Sequence, residues 1–345
     1  MNHMKTRLLD PVKDPDALAQ AAALLRAGEV VGMPTETVYG LAANALDGAA
    51  VAKIFEAKGR PQDNPLIVHI ADKEQIHTLA RTVPESAQKL AEAFWPGPLT
   101  IILPRADCIP HEVSAGLDTV GIRLPSHPIA RALIREAGVP LAAPSANTSG
   151  RPSTTTSGHV MEDLNGKIPA IVEGGPCAVG VESTVVSLAG DKPRLLRPGG
   201  ISLEQLESVL GTVEVDRALR EKIGDDVQVS APGMKYRHYA PKAPVTVVCG
   251  EPERTAAYIT RHAALDAGII CFSECAFQFT LRERRIIGAS DDVQTQARRV
   301  FDALRSFDET DVTEIWAQCP DDTGLGLAVA NRLKKAAGFK VVNVV

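Results

Sequence analysis

Residues 57–70, AKGRPQDNPLIVHI, join three unlike segments. Lys58 and Arg60 set two cations beside Gly59, Pro61 to Pro65 make a polar turn, and Leu66 to Ile70 read as a buried strand with one polar residue, His69. A short aliphatic run bounded by turn residues has the pattern of a strand covered on both faces, as in an α/β sheet. The cationic turn and the imidazole together read as the floor and lip of an anion pocket. A solvated loop and a satisfied core histidine would leave the same trace, so the rest of the chain decides.

Outward from this stretch, helices and strands alternate. Asp14 and Pro15 are predicted to open a helix with Leu18, Ala21, Ala22 and Leu25 on its apolar face and Gly28 as its stop. Glu29 to Met33 is a short strand running into the small-residue loop PTETVYGLAANALD, residues 34–47. Asp47 caps a second helix that Gly59 ends. Helices are predicted at about 72–80, 84–94, 127–138 and 202–211. Strands are predicted at Leu99–Leu103, in TVGIRLP, in PLAA, and at 170–173 and 183–188. Residues 212–232 are charged and poor in large apolar side chains, and GMKYRHYAPKAP follows, so 212–242 reads as a linker. From Val245 strands and helices alternate with short joins, which implies a parallel sheet flanked by helices. The chain is therefore expected to be α/β, with a larger unit over 1–211, a linker over 212–242 and a smaller unit over 243–345.

Composition narrows the function. A length of 345 residues favours two domains, and 45% hydrophobic with only 4% aromatic residues implies aliphatic cores. A net charge of −5 argues against coating nucleic acid with a broad basic face, but not against a local basic cleft. Cys271 and Cys275 lie four apart with no second pair to complete a zinc-like set, so free thiols and a reducing compartment are expected. No apolar run approaches the ~20 residues of a membrane span. The N-terminal MNHMKTRLLDPVKDP lacks a signal-peptide core, so a cytoplasmic protein is expected.

Polar residues gather where strands end. Thr35, Glu36 and Thr37 follow one strand; Lys58, Arg60 and His69 flank another; Ser145, Asn147, Ser149 and Ser153 follow PLAA; Ser183 and Thr184 open STVVSL; Arg197 ends RLLRP. Ligands of open α/β sheets bind at such ends. Arg123, inside the apolar VGIRL, is the sharpest clue, because a buried guanidinium needs a partner. An internal acid or a bound carboxylate or phosphate would serve equally. SANTSGRPS is a dense donor set, or a plain turn. The glycines of GLGLAVANRL, residues 324–333, fit a phosphate-binding helix start less well than tight helix–strand packing. The sequence holds no nucleophile elbow, Walker loop or zincin motif.

Together PTETVYGL, KGRPQDNPLIVH, FWPGPLT, the arginine of VGIRLP, APSANTSG, STVV and LRPG, in this order, resemble the motifs of the threonylcarbamoyl-AMP synthases. APGMKYRHYAP and the region after it resemble the longer, two-domain Sua5 form, so the resemblance runs from about residue 14 to the end. It implies a YrdC-like twisted mixed sheet with helices and an open concave cleft, plus a smaller Rossmann-like parallel α/β C-terminal domain. It also implies that L-threonine, bicarbonate (or CO2) and ATP give L-threonylcarbamoyladenylate and pyrophosphate. A partner transferase would then pass the threonylcarbamoyl group to adenosine 37 of tRNAs reading codons that begin with A, the t6A modification.

Residue by residue, Thr35, His69, Arg123, Ala143 and Ser183 are similar to the positions that hold L-threonine, with Arg123 on its carboxylate. Lys58, Thr119, Ser145, Ser153 and Arg197 resemble the ATP contacts, and Arg60 and Asn147 belong to the same motif set. Gln62 lies in the loop that nears the nucleotide, and Tyr236 resembles a linker residue that closes over it. Three departures fall on no position carried over: Ala42 and Ser187 stand where the family often has Gly and Asp, and Thr154 replaces a proline common after the serine.

The implied chemistry needs no protein nucleophile. A carbamate of threonine forms with little help, and its oxygen attacks the α-phosphate. The site must hold two anions together and exclude water, with Lys58 and Arg60 supplying charge and Mg2+ arriving with the ATP phosphates. The linker is expected to gate the site and the C-terminal domain to anchor it. Two rival readings are a carbamoyl-adenylate-forming carbamoyltransferase, which usually carries zinc-finger-like and acylphosphatase regions that this sequence lacks, and a non-catalytic RNA-binding YrdC-like protein, against which the acidic balance counts.

Overall fold

The computed structural model describes residues 5–219 and 239–344. Strands of the first unit are β1 (Arg7–Leu9), β2 (Val31–Met33), β3 (Gly40–Asn44), β4 (Ile67–His69), β5 (Leu99–Pro104) and β6 (Thr119–Arg123). They continue as β7 (Leu141–Ala142), β8 (Ala170–Val172), β9 (Thr184–Ser187), β10 (Arg194–Arg197) and β11 (Glu214–Val215). Among the described residues they form one mixed eleven-stranded sheet, in the order β1-β8-β2-β3-β7-β4-β6-β5-β9-β10-β11. Its helices are α1 (Ala17–Arg26), α2 (Gly48–Lys58), α3 (Ile76–Leu79), α4 (Glu85–Phe94), α5 (His111–Ser114), α6 (Pro128–Ala137), α7 (Ser157–Leu164) and α8 (Leu203–Leu210).

Aliphatic cores cover both faces of this sheet. On one, Val51, Ile54, Leu90, Trp95, Leu103 and Ile122 pack together. On the other, Ala21, Ala22 and Leu25 of α1 meet Ala130, Leu133 and Ile134 of α6. Helix α2 shows how local chemistry sets an element: Asp47 accepts from the Ala49 and Ala50 amides, and Gly59 ends the helix at φ 62°. That left-handed residue favours glycine and turns the chain into the cationic loop.

The second unit holds β12 (Val245–Cys249), α9 (Pro252–His262), β13 (Gly268–Phe272), β14 (Arg284–Gly288), α10 (Val293–Ser306), β15 (Ile315–Gln318), α11 (Gly326–Ala336) and β16 (Val341–Asn343). Its sheet, β14-β13-β15-β12-β16 among the described residues, is parallel throughout. Trp316 packs with Val248, Ile259 and Ile269 on one face. On the other face, Val247, Val300 and Leu333 share a core with Val38, Val181 and Tyr239, so the first unit's loops penetrate the second unit's core. At Gly180 the backbones come close: a Cβ there would lie 2.4 Å from Arg298 Cα and 2.5 Å from the Ala297 carbonyl. No helix among the described residues is long and apolar enough to cross a membrane.

The structure departs from the sequence reading in several places. The first helix starts at Ala17, because the Asp14 carboxylate accepts from the Asp16 amide and Gln20 Nε2, both at 2.9 Å, instead of capping it. The loop expected over 34–47 contains β3, whose Gly40 lies where a Cβ would meet Ala143 Cβ at 3.1 Å. β1 and β14 add strands where none was expected. The linker expected from 212 begins inside the fold, since Glu214–Val215 pairs parallel with β10.

Candidate active site

The floor of the cleft follows from strand register. β4 runs parallel to β6 with His69 opposite Arg123 and Ile67 opposite Gly121. Alternation then puts Thr119, Gly121 and Arg123 on the same face of β6, beside His69. Above this floor the cleft opens to solvent, walled by Thr35, Lys58, Ser145, Ser183 and Arg197.

Arg123 is 3% exposed, and its Nη2 lies 2.7 Å from Glu36 Oε1. Its Nε donates to the Gly97 carbonyl at 3.4 Å. The internal acid that the sequence left open is therefore Glu36. The contact is close but poorly directed: neither Glu36 oxygen nor Arg123 Nη2 makes an aligned hydrogen bond among the described residues. Burial pushes the Glu36 carboxyl upward, and the adjacent Arg123 guanidinium together with the Glu36 and Ser126 backbone amides outweighs it to leave the group below its usual range. His69 is pushed down to about 3, by burial first and then by the Arg123 cation. Its Nδ1 lies 3.2 Å from the Ile67 carbonyl. A carbonyl only accepts, so Nδ1 carries the proton of a neutral ring. Thr35 faces this group, its hydroxyl donating to the Val38 carbonyl at 2.6 Å, and Ala143 lines the same wall.

The cationic wall is built on α2 and the loop after β7. Lys58 is buried at the end of α2 and donates to the Ser145 carbonyl at 2.5 Å and to the Asn147 carbonyl. Burial, reinforced by Arg60, holds its pKa well below the usual lysine value. Asn147 braces its own loop, donating to the carbonyls of Thr148 at 2.8 Å and Arg151 at 2.9 Å. Opposite, Arg197 donates through Nε to the Ser183 carbonyl at 3.0 Å and through Nη2 to Ser183 Oγ at 3.1 Å. Burial lowers Arg197 to about 10, which still leaves a cation at neutral pH.

Of the residues singled out, Thr35, Lys58, Arg60, His69, Arg123, Ala143, Ser145, Asn147, Ser183 and Arg197 line the one cleft. Thr119 lines an adjoining depression with Thr100, Gly121 and Val185 instead. Ser153 lies beneath the surface, fully buried, and donates to Glu182 Oε1 at 2.5 Å. Gln62 is exposed and outside the lining, because the polar turn carries it outward. Tyr236 lies outside the described residues.

Three residues were missed. Glu182 and Tyr239 line the cleft, and Arg332 on α11 binds Glu182 from behind, Nε to Oε2 at 2.8 Å. Burial pushes the Glu182 carboxyl up, but Arg332 and Arg197 outweigh it and bring it to about 2. The signal for Arg332 was present: it interrupts the helical stripe of Ala328, Val329, Leu333 and Ala336 with a charge.

Sequence and structure comparisons agree on the family. Residues 23–199 match a model described as "Telomere recombination", whose name joins Sua5, yciO and yrdC, and residues 201–338 match "Threonylcarbamoyl-AMP synthase, C-terminal domain". The threonylcarbamoyl-AMP synthase of Bacillus subtilis is 52% identical, covering 95% of this chain and 95% of its own. That of Pyrococcus abyssi is 48% identical, covering 94% of this chain and 95% of its own. The crystal structure of P. abyssi Sua5 complexed with L-threonine superposes with a TM-score of 0.90 at 46% identity, covering 98% of this chain and 99% of that one. With both units matched and relatives this similar over nearly its whole length, the chain belongs to the threonylcarbamoyl-AMP synthase family.

Proposed function

We propose that this chain condenses L-threonine, bicarbonate or CO2, and ATP into L-threonylcarbamoyladenylate and pyrophosphate. The observation that carries the reading is the buried Arg123–Glu36 pair, 2.7 Å apart and poorly aligned, beside a neutral His69. A zwitterionic amino acid matches both charges, its carboxylate on Arg123 and its ammonium toward Glu36. Thr35 and Ser183 then offer hydroxyl partners on the same walls, with Ala143 as apolar contact.

The amine, once deprotonated, captures CO2 to form a carbamate. A carbamate oxygen attacks the α-phosphorus of ATP, a new P–O bond forms, and the bond from the α-phosphorus to the bridging oxygen breaks to release pyrophosphate. Lys58, Arg60 and Arg197 neutralise the triphosphate, and Ser145, Asn147 and Ser153 shape the nucleotide side, with Thr119 and Gln62 at its margins. Glu36 and Glu182 are each held by an arginine, and no group of three or more His, Cys, Asp or Glu side chains stands together among the described residues. Mg2+ would arrive on the ATP phosphates. Tyr236 and the linker would cover the nucleotide, and a cytoplasmic transferase would carry the group to tRNA for t6A.

Pyrophosphate release that requires ATP, bicarbonate and L-threonine together tests the reading. Release that proceeds as well with carbamoyl phosphate in place of threonine and bicarbonate would replace it with carbamoyl transfer.

A further inference from the structure

Arg332 belongs to α11 of the second unit, has no solvent exposure, and reaches into the first. Its Nε donates to Glu182 Oε2 at 2.8 Å, and its Nη1 to the Pro198 carbonyl at 2.7 Å. A guanidinium is a rigid planar fork, so two bonds through it fix two acceptors relative to one another. Those acceptors flank cleft residues on both sides: Glu182 precedes Ser183, and Pro198 follows Arg197. The two segments already touch backbone to backbone, since a Cβ on Gly199 would lie 2.3 Å from the Glu182 carbonyl. The other Glu182 oxygen accepts from Ser153 at 2.5 Å.

We propose that Arg332 is a positioning residue for the synthesis: through Glu182 and Pro198 it sets the placement of Ser153, Ser183 and Arg197. This rests on the reaction proposed above and goes beyond it, because it gives the second unit a direct part in the site's geometry. Mechanical docking has other anchors. Arg305 donates to Asp163 Oδ1 at 2.6 Å and to the Pro152 carbonyl at 2.7 Å, and the Gly180 contact adds backbone packing. Arg332 contacts both of the segments that carry Ser183 and Arg197.

The test uses the full-length chain with two readouts: pyrophosphate release and calorimetric binding of L-threonine. Arg332→Gln is expected to lower kcat/KM by about 10- to 100-fold, the scale of a small misplacement of reacting groups, and to weaken L-threonine. In a Glu182→Gln background the same change should cost less, because only the Pro198 contact is then left to break. The Glu182→Gln, Arg332→Gln pair removes one buried charge of each sign and leaves the net charge of the cluster unchanged, so it decides the matter if Arg332→Gln alone does not fold. Arg305→Gln should lower the unfolding midpoint and cost less kcat/KM than Arg332→Gln. Wild-type kcat/KM in Arg332→Gln or in the neutral pair, or an equal loss in both backgrounds, overturns the proposal. A wild-type chain that binds L-threonine but releases no pyrophosphate overturns the reaction instead, and the binding readout then decides the positioning role.

Discussion

A buried charge is informative through its partner. Arg123 stood out in the sequence as a cation inside an apolar strand, but Glu36 could not be assigned to it, because their meeting depends on how β2 and β6 are placed in the sheet. Arg123→Ala leaves Glu36 buried and removes the carboxylate's partner. L-threonine is expected to weaken by roughly 2–5 kcal/mol, with ATP affinity nearly unchanged. Calorimetry with each ligand separately checks this, and equal weakening of both would refute the assignment. His69 gives a second residue-level prediction. Burial and the Arg123 cation bring it to about 3, below its ordinary 6.5. Between those values the unfolded chain binds a proton that the folded chain does not, so this contribution to stability is whole above pH 6.5 and falls as pH drops toward 3. His69→Asn should flatten that part of the acid limb in urea midpoints taken at pH 7, 5.5 and 4.

At the scale of elements, long periodic segments were legible and close approaches were not. Helices α6, α8 and α10 follow from apolar spacing and end signals such as Gly138 and Gly211. β3 escaped because GLAAN has neither β-branching nor alternation; it is a strand because Gly40 and small alanines let β7 and its following loop come close. EGGPCAVGVE read as a turn, yet Gly180 within it sits against the α10 backbone at φ 83°. Gly180→Ala meets both a left-handed backbone and Arg298 Cα at 2.4 Å, so α10 has to retreat. A loss of about 1–3 kcal/mol is expected from overpacking of this kind, read as a lower midpoint in thermal unfolding. An unchanged midpoint would mean that the docked arrangement is not the one populated in solution.

The whole molecule behaves as two units sharing a core. The two-unit division is visible in the sequence because composition changes near residue 212. The docking is not, because it rests on single pairs such as Glu182 with Arg332, 150 residues apart in sequence. Lys335 makes that interface respond to pH. Burial, then Arg332 and Arg197, bring it down to about 7 from 10.5. From pH 7 to 10.5 the unfolded chain binds one more proton at this site, so stability rises with pH across that window. Lys335→Met should remove this slope, as judged by unfolding midpoints at pH 7 and 9; an identical slope in the variant would locate its origin elsewhere. The placement of the two tryptophans gives the same architecture an optical consequence. Trp95 lies in the first unit's core and Trp316 in the second's, so their emission reports from two addresses. If the shared core binds the units into one cooperative body, the fluorescence transitions of Trp95→Phe and Trp316→Phe, each normalised to its own stability, trace the same curve. If the units part before they melt, the two single-tryptophan proteins report it in different colours at different denaturant concentrations.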